Sequence, residues 1–332
     1  MKKFMIIFMV ATTITACKKQ NEPALAQETL TEEFAAAPNP CTGNTWAEIP
    51  NYPWANSTNF PRFLFVYQNK IYVPSKQEQK VYIYDGISWS RINSVVPEGF
   101  NAGFCFTIGD KGYISKGGIL DGRELWEYNV VTNVWTQKAT FPGAVRFFSA
   151  SFVIGNKAYI AGGNYGSTYF REVWEYDPTD VTPWTQKANI PVAFLGRSGS
   201  TGFSIGTKGY IACGEYKTPA SPFIQYTKTL LEYNPTTDAW TQKTNFPGAG
   251  MSQGASFVIG QSGYVGAGYT GTISSKVFYK YSPSSNTWVK IALMPNQEAQ
   301  PIGCSINSKG YVSGLNRLVK YSPQICIGGV PF

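Results

Sequence analysis

Three arginines and one glutamate have the types and positions best suited to chemistry on a small charged ligand. Arg146 and Arg197 stand at the same place in two copies of an internal repeat, and Arg62 stands three residues off that register in a third copy. Guanidinium groups that converge on one point can bind a carboxylate through paired hydrogen bonds. Glu215 is the one loop carboxylate that we consider as a general base. The alternative is a structural role, in which the arginines bond to neighbouring backbone carbonyls and stabilise the fold.

A second group of candidate residues consists of tyrosines in loops of variable length, close to Asn, Ser and Thr side chains. Function is commonly carried by loops on a rigid scaffold. Tyrosine rings can stack on sugar rings while the neighbouring polar groups bond to hydroxyls, but the same residue types suit a protein surface equally well. The predicted ligand is therefore a glycan or a protein of the cell envelope, and the candidate binding residues are Tyr165, Tyr169, Tyr216, Tyr226 and Tyr269.

The complete absence of histidine removes several classes of enzyme. A serine–histidine–aspartate hydrolase in its usual form is excluded, and so are the imidazole ligands that copper and catalytic zinc sites normally use. No cysteine spacing indicates a metal site, and we interpret Cys105, Cys213 and Cys304 as small buried residues. We predict neither a metal nor another cofactor.

A repeat with a period near 50 residues must position these candidates. Six tryptophans stand 43, 46, 49, 56 and 48 residues apart, and three of them begin near-identical segments at residues 135–142, 184–191 and 240–247. Within one repeat, two strands joined by a Gly-Asn turn precede a third strand with an aromatic residue and a fourth strand that begins at tryptophan. Four antiparallel strands per repeat predict one blade of an all-β propeller with six blades.

The repeats resemble the Kelch family, since Gly117-Gly118 and Gly162-Gly163 follow the second strand and a tryptophan opens the fourth. The resemblance covers residues 41–326. Bacterial sialic acid mutarotases share this architecture, which implies a sugar epimerase or mutarotase acting on an acidic sugar such as sialic acid. Galactose oxidase belongs to the same superfamily, but its copper site needs histidines, so we reject copper oxidase chemistry.

The two ends of the repeat array are predicted to join. The last repeat lacks a tryptophan strand, and the strand that contains Trp46 precedes the first complete repeat, so we expect this N-terminal strand to complete the last blade. Cys41 lies five residues before Trp46, and Cys326 lies five residues after Tyr321. In an exported protein these cysteines can form a disulfide that closes the ring, worth about 4–5 kcal/mol on the chain-entropy model. The alternative is two unpaired thiols.

The N-terminus indicates export. Residues 1–16 have the basic start and short apolar stretch of a signal peptide, and Ala16-Cys17 resembles a lipobox, which implies lipidation of Cys17. Residues 17–40 are predicted to form a flexible tether, and residues 41–332 the propeller. The net charge of +8 comes without a basic cluster, which argues against nucleic acid binding.

Together these observations predict a monomer that is anchored by lipid to a bacterial cell envelope, in the outer membrane, facing either the periplasm or the surface. The leading hypothesis is non-catalytic binding of a glycan or protein by the propeller loops. The first alternative is the epimerase or mutarotase that the resemblance implies, and a third possibility is a purely structural component of the envelope.

Overall fold

The computed structural model describes residues 43–50, 53, 63–75, 77–98, 100, 103–117, 122–218, 220–298, 300–314 and 317–324. These residues form six sheets of four antiparallel strands, arranged as the blades of a propeller. This confirms the predicted fold class. The described part of the chain contains one short 3₁₀ helix, Val192–Phe194, and no helix long and apolar enough to cross a membrane.

The strands are numbered in chain order, and the blades are numbered by their innermost strands. Strand β1 (Thr45–Glu48) belongs to blade six. The other strands of blades one to three are β2 (Phe65–Tyr67), β3 (Lys70–Ser75), β4 (Lys80–Tyr84) and β5 (Trp89–Asn93) in blade one; β6 (Cys105–Ile108), β7 (Lys111–Ser115), β8 (Leu125–Asn129) and β9 (Val134–Lys138) in blade two; and β10 (Ala150–Ile154), β11 (Lys157–Ala161), β14 (Val173–Tyr176) and β15 (Trp184–Lys187) in blade three.

Blades four to six continue the pattern, and two further hairpins lie in blades three and four. The strands are β16 (Thr201–Ile205), β17 (Lys208–Ala212), β20 (Leu230–Asn234) and β21 (Ala239–Lys243) in blade four; β22 (Ala255–Ile259), β23 (Ser262–Gly266), β24 (Phe278–Ser282) and β25 (Thr287–Lys290) in blade five; and β26 (Ile302–Ile306), β27 (Lys309–Ser313) and β28 (Leu318–Ser322) in blade six. The additional hairpins are β12 (Asn164–Tyr165) with β13 (Thr168–Tyr169), and β18 (Glu215–Thr218) with β19 (Ser221–Tyr226).

The aromatic residues of the repeat form the core between neighbouring blades. Phe152 and Tyr159 of blade three pack against Tyr233 of blade four, with ring centroids 6.3 and 5.3 Å apart, and Tyr233 in turn packs against Trp240 at 4.9 Å. The first three of these residues are at most 5% exposed, and burial of such a side chain contributes roughly 1.5–3 kcal/mol. A Cβ atom on Gly209 would lie only 2.0 Å from the ring of Phe152. Glycine at this place near the start of β17 therefore allows blades three and four to pack together.

The N-terminal strand closes the ring as the sequence predicts. Strand β1 pairs antiparallel with β28, with Trp46 opposite Tyr321. Its indole nitrogen donates to the carbonyl of Ala292 at 2.9 Å, just as Trp240 donates to Ala188 at 2.9 Å between blades four and three. The junction between the chain ends therefore repeats the interactions of an internal blade boundary. Cys17, Cys41 and Cys326 lie outside the described residues, so lipidation and the disulfide stay predictions.

Candidate functional site

The innermost strands surround a central cavity of about 360 Å³, a volume within the range of small-molecule sites. All six blades contribute to its wall. The lining is dominated by small residues and aromatic rings, because a narrow channel at the centre of six converging sheets leaves little room for long side chains. Representative lining residues, one from each of blades one to six, are Phe63, Phe104, Ser149, Thr201, Ser256 and Cys304.

Residues at one end of the cavity have the left-handed backbone conformation, which residues other than glycine rarely adopt. Phe148, Gln253 and Gln300 have φ values of +52°, +50° and +48°, and each lies eleven residues before the second-strand tyrosine of its repeat. Glycine occupies the same place in blade four, at Gly199 with φ +63°. All four residues line the cavity. Non-glycine residues in this region cost about 1–3 kcal/mol each, and such strain is concentrated at functional sites.

The two additional hairpins stand on this same side of the propeller, between the second and third strands of their blades. Asn164 of β12 pairs through its backbone with Phe147, and Glu215 of β18 pairs with Ser198. Phe147 and Ser198 each directly precede one of the strained cavity residues. No described residue of the hairpins lines the cavity itself. Both hairpins begin next to it, and we call the surface that they form over blades three to five the loop-face cleft.

Glu215 is the central acidic group of the loop-face cleft. Its Oε2 accepts a hydrogen bond from Ser252 Oγ of blade five at 2.9 Å. Among the described residues, none donates a hydrogen bond to its Oε1. Burial raises the pKa of Glu215 above the usual carboxyl value, and the Ser252 bond and the positive charge of Lys217 pull it partly back. A half-buried carboxylate whose pKa is raised by burial is a stronger base than a solvent-exposed one, which suits it to proton transfer.

Two of the five candidate tyrosines, Tyr169 and Tyr226, lie close to Glu215, and a third, Tyr269, packs against Tyr226. Tyr226 is the cross-strand partner of Glu215 in the β18–β19 hairpin, and the Tyr226 ring meets that of Tyr269 edge-on at 6.1 Å. Burial raises the pKa of Tyr169 and of Tyr226, and the nearby Glu215 charge raises both further. The Tyr226 ring also lies 2.8 Å from where a Cβ of Gly271 would stand, so the blade-four hairpin leans onto the blade-five loop.

The other two candidate tyrosines lie at the edge of this group. Tyr165 is 43% exposed and stacks on Phe147, with centroids 6.4 Å apart and planes at 13°. Tyr216 follows Glu215 on β18, so its side chain points to the opposite face of the hairpin; it is close enough to Arg197 to raise the pKa of that guanidinium. The cleft thus unites Glu215 with Tyr169, Tyr226 and Tyr269.

The arginines do not take part in the cleft. Arg146 and Arg197 are each only 2% exposed and lie in the blade interior, not on the cavity wall. Arg146 donates to the carbonyls of Ala144 and Gly162 at 3.0 and 3.1 Å and pairs with Glu172. Its guanidinium also lies 4.2 Å from the centre of the Phe170 ring. Arg146 therefore has the structural role that the sequence analysis gave as the alternative, in which the arginine bonds to neighbouring backbone carbonyls.

Arg197 is held in the same way. It donates to the carbonyls of Phe194 and Cys213 and to the hydroxyl of Thr229. Burial lowers its pKa to about 10, so it stays charged at neutral pH. Neither arginine is therefore placed to bind a ligand carboxylate. Arg62 lies outside the described residues.

The cysteines of the described region give no metal site. Cys213 and Cys304 are buried and Cys105 is half-buried. Burial raises the pKa of Cys105 to about 11 and of Cys213 to about 12, so these thiols stay protonated and weakly nucleophilic. Among the described residues, no three Cys, Asp or Glu side chains are grouped so that they could hold a metal ion.

Comparison with known proteins gives relatives that bear one name. A protein of Haemophilus influenzae strain PittEE named N-acetylneuraminate epimerase is 25% identical over 197 residues, which are 49% of this chain and 52% of that protein. A protein of Vibrio cholerae serotype O1 with the same name is 31% identical over 112 residues, which are 31% of this chain and 29% of that protein. The chain thus matches about half the length of these curated relatives or less.

The match to the solved structure of YjhT covers 65% of this chain and 72% of the YjhT chain, with a TM-score of 0.55 and 20% sequence identity. At this identity the match shows a similar fold. No family model matches the chain. The protein is a six-bladed β-propeller that resembles proteins named N-acetylneuraminate epimerase. The assignment of its repeats to the Kelch family stays a prediction.

Ser252, Gln253 and Gln300 are residues of the site that the sequence reasoning missed, and Ser198, whose side chain bonds Asn164, lies beside it. Each precedes an innermost strand at a fixed distance, and Ser198 and Ser252 both lie twelve residues before the second-strand tyrosine. The same alignment that located the arginines at thirteen residues would have located them. Their short polar side chains gave no chemical reason to single them out.

Proposed function

We propose that the protein is a sugar epimerase or mutarotase that acts on an acidic sugar such as N-acetylneuraminate in the loop-face cleft. The observation that carries this proposal is Glu215, a half-buried carboxyl with a raised pKa that has Tyr169 and Tyr226 beside it, with Tyr269 packed against Tyr226. The names of the relatives support the same reading. The sequence alone favoured non-catalytic binding, and these names favour the enzymatic alternative.

Proton transfer by Glu215 accounts for the interconversion of anomers. Ring opening removes the proton of the anomeric hydroxyl and delivers a proton to the ring oxygen as its bond to the anomeric carbon breaks. Closure on the other face of the new carbonyl reverses these transfers, so no net proton is gained or lost. Glu215 serves as base for one transfer and, once protonated, as acid for the return, and burial raises its pKa in the direction that makes the carboxylate a stronger base.

Lys217 is the cation that we place against the carboxylate of the substrate. It is exposed on β18, and its charge reaches Glu215. Arg146 and Arg197 are already bonded in the blade interior. The rings of Tyr226 and Tyr269 offer a wall on which the sugar can stack.

The first test is exchange NMR spectroscopy of N-acetylneuraminate, which measures anomer interconversion at equilibrium. Glu215→Gln keeps the shape and the acceptor for Ser252 but cannot transfer protons, so we expect the catalysed rate to fall by roughly 10²–10⁴-fold. Lys217→Ala should raise KM more than it lowers kcat, because the lysine binds the substrate without taking part in proton transfer.

Glu124→Gln is the matched control, since Glu124 pairs with Lys116 at 2.7 Å in blade two, outside the cleft. It should leave the rate unchanged. Wild-type turnover that survives in Glu215→Gln would refute the role of Glu215.

Non-catalytic glycan binding remains the second candidate, because aromatic and apolar side chains are exposed beside the cleft. Tyr165 is 43% exposed, Tyr269 is 41% exposed, and Phe223 on β19 is 75% exposed. A glycan array with the soluble propeller, repeated with Tyr165→Ala and Phe223→Ala, tests this function. Retained binding with no anomer exchange would favour it over the enzyme.

A further inference from the structure

The same serine-to-side-chain bridge crosses two neighbouring blade boundaries on the loop face. Ser198 of blade four donates through Oγ to Asn164 Oδ1 of blade three at 2.7 Å, and Ser252 of blade five donates to Glu215 Oε2 of blade four at 2.9 Å. Asn164 and Glu215 both lie five residues after the second-strand tyrosine. The two bridges are equivalent in position, but one ends on an amide and the other on a carboxylate.

Ser252 is fixed more firmly than a typical surface hydroxyl. It is 1% exposed, its amide donates to the carbonyl of Tyr269 at 2.9 Å, and its own carbonyl accepts from the amide of Tyr269 at 2.8 Å. The next amide, that of Gln253, donates to the carbonyl of Gly199 at 2.7 Å and so anchors the segment to blade four. The Oγ donor therefore has a defined place relative to Glu215.

We propose that Ser252 is a positioning residue, which holds Oε2 of Glu215 so that Oε1 faces the ligand in the loop-face cleft. This inference rests on the proposed function, since it assigns Ser252 a part in the proton transfer of Glu215. Only Oε2 is bonded by described residues, so one oxygen is fixed and the other is left for the sugar. A hydrogen bond to a carboxylate in a shielded place is stronger than one between neutral groups.

The bridge also tunes the acidity of Glu215. The groups around this carboxyl are Lys217 on its own strand, Tyr226 on the paired strand and Tyr169 from blade three, while Tyr269 from blade five lies against Tyr226. Burial raises the pKa of Glu215, and the Ser252 bond lowers it because it favours the charged form. Loss of the bond must therefore raise the pKa, which shifts the acid limb of the pH–rate profile to higher pH.

The test compares Ser252→Ala with Ser198→Ala, which removes the equivalent bridge to Asn164. The pKa of Glu215 is measured without substrate, by ¹³C NMR titration of glutamate-labelled protein with Glu215→Gln identifying the signal. We expect Ser252→Ala to raise this pKa, to shift the acid limb in the same direction and to lower kcat by roughly tenfold. Ser252→Thr should restore both, and Ser198→Ala should leave the Glu215 titration unchanged.

The positioning role is overturned if folded Ser252→Ala titrates like the wild type, or if Ser198→Ala shifts Glu215 equally. If Ser252→Ala does not fold, Ser252→Cys replaces the hydroxyl by a weak donor and permits the same titration. If the wild-type protein shows no turnover, the proposed function is refuted but the role of Ser252 is not. The titration without substrate still decides whether Ser252 sets the acidity of Glu215.

Discussion

At the scale of single residues, Arg146 and Arg197 occupy one structural position with different partners. Both lie thirteen residues before the second-strand tyrosine, where blade five has Met251 and blade six has Glu298, and all four side chains are at most 3% exposed. Arg146 meets the carboxylate of Glu172. Arg197 meets only Thr229 at the corresponding place, and no carboxylate of the described residues lies within ion-pairing distance of it.

Replacement of each arginine by methionine should therefore affect stability and not catalysis. Methionine fits, because Met251 fills this position in blade five. We expect Arg146→Met to lower the free energy of unfolding by about 2–3 kcal/mol, since it removes the cation that pairs with Glu172 and a donor to the carbonyls of Ala144 and Gly162. Arg197→Met should cost about 1 kcal/mol, because it also removes a buried charge that has no counter-ion. Urea denaturation measures both, and a raised KM in either folded variant would contradict this assignment.

The arginines also show why the sequence predicts a site only in part. Their register was correct, and a guanidinium near a channel is chemically suited to an acidic ligand. Whether such a side chain points into the channel or into the blade depends on the packing of the next blade, which periodicity does not encode. Glu215 could be selected from sequence because it is the carboxylate of the longest variable loop, but its Ser252 partner joins residues 37 positions apart.

At the scale of elements, the β18–β19 hairpin explains the longest interval between tryptophans. The sequence predicts the longest of the variable loops over residues 215–226, which accounts for the interval of 56 residues. In the structure this loop is a hairpin whose register shifts between Tyr216 and Thr218. The extra residues on β19 include Phe223 and Ile224, which are 75% and 40% exposed. A bulge of this kind redirects side chains, and here it turns apolar groups outward beside the cleft.

The start of this hairpin depends on a glycine. Gly214 has φ +111°, and a Cβ there would stand 2.3 Å from Ser200 Oγ and 3.0 Å from the carbonyl of Ser198. Gly214→Ala should destabilise the protein by more than about 2 kcal/mol and displace Glu215, since both the backbone conformation and the space exclude a side chain. Gly206→Ala is the control, because Gly206 has φ +58° with nothing within 4 Å of its Cβ position and should cost only about 1 kcal/mol. Thermal unfolding that is equal for the two variants would contradict the role of Gly214.

At the scale of the whole molecule, the sequence predicts the ring and its closure correctly. Six aligned tyrosines and tryptophans determine the blades, and the missing last strand determines the place of β1. This succeeds because each blade buries its faces only against its neighbours, so one repeat contains most of the information about the core. The cleft lies where the repeats differ, and its geometry arises between blades.

Trp46 lies where the N-terminal strand closes the ring, so its substitution tests how the ring opens. Its ring contacts Phe278 and Tyr321 at 5.1 Å each, and Trp240 occupies the same position inside the chain. We expect both alanine variants to lose about 3–5 kcal/mol. Only Trp46→Ala should release β1, because β21 is held by covalent turns on both sides. Amide hydrogen exchange of β28 in Trp46→Ala should exceed that of β20 in Trp240→Ala, and reduction of the predicted Cys41–Cys326 disulfide should enlarge the difference. Equal exchange would contradict end-specific opening.

The pair of bridges separates the support of the acidic group from its chemistry. Ser198 and Ser252 stand at the same place in neighbouring blades, and each donates to a side chain at the same place of the preceding blade. Serine occupies this place in blades four and five, whereas blade three has Phe147 there. One acceptor is the amide of Asn164, and the other is the carboxylate of Glu215. A single exchange of acceptor at one of two equivalent boundaries therefore breaks the symmetry of the array and gives the molecule one acidic side.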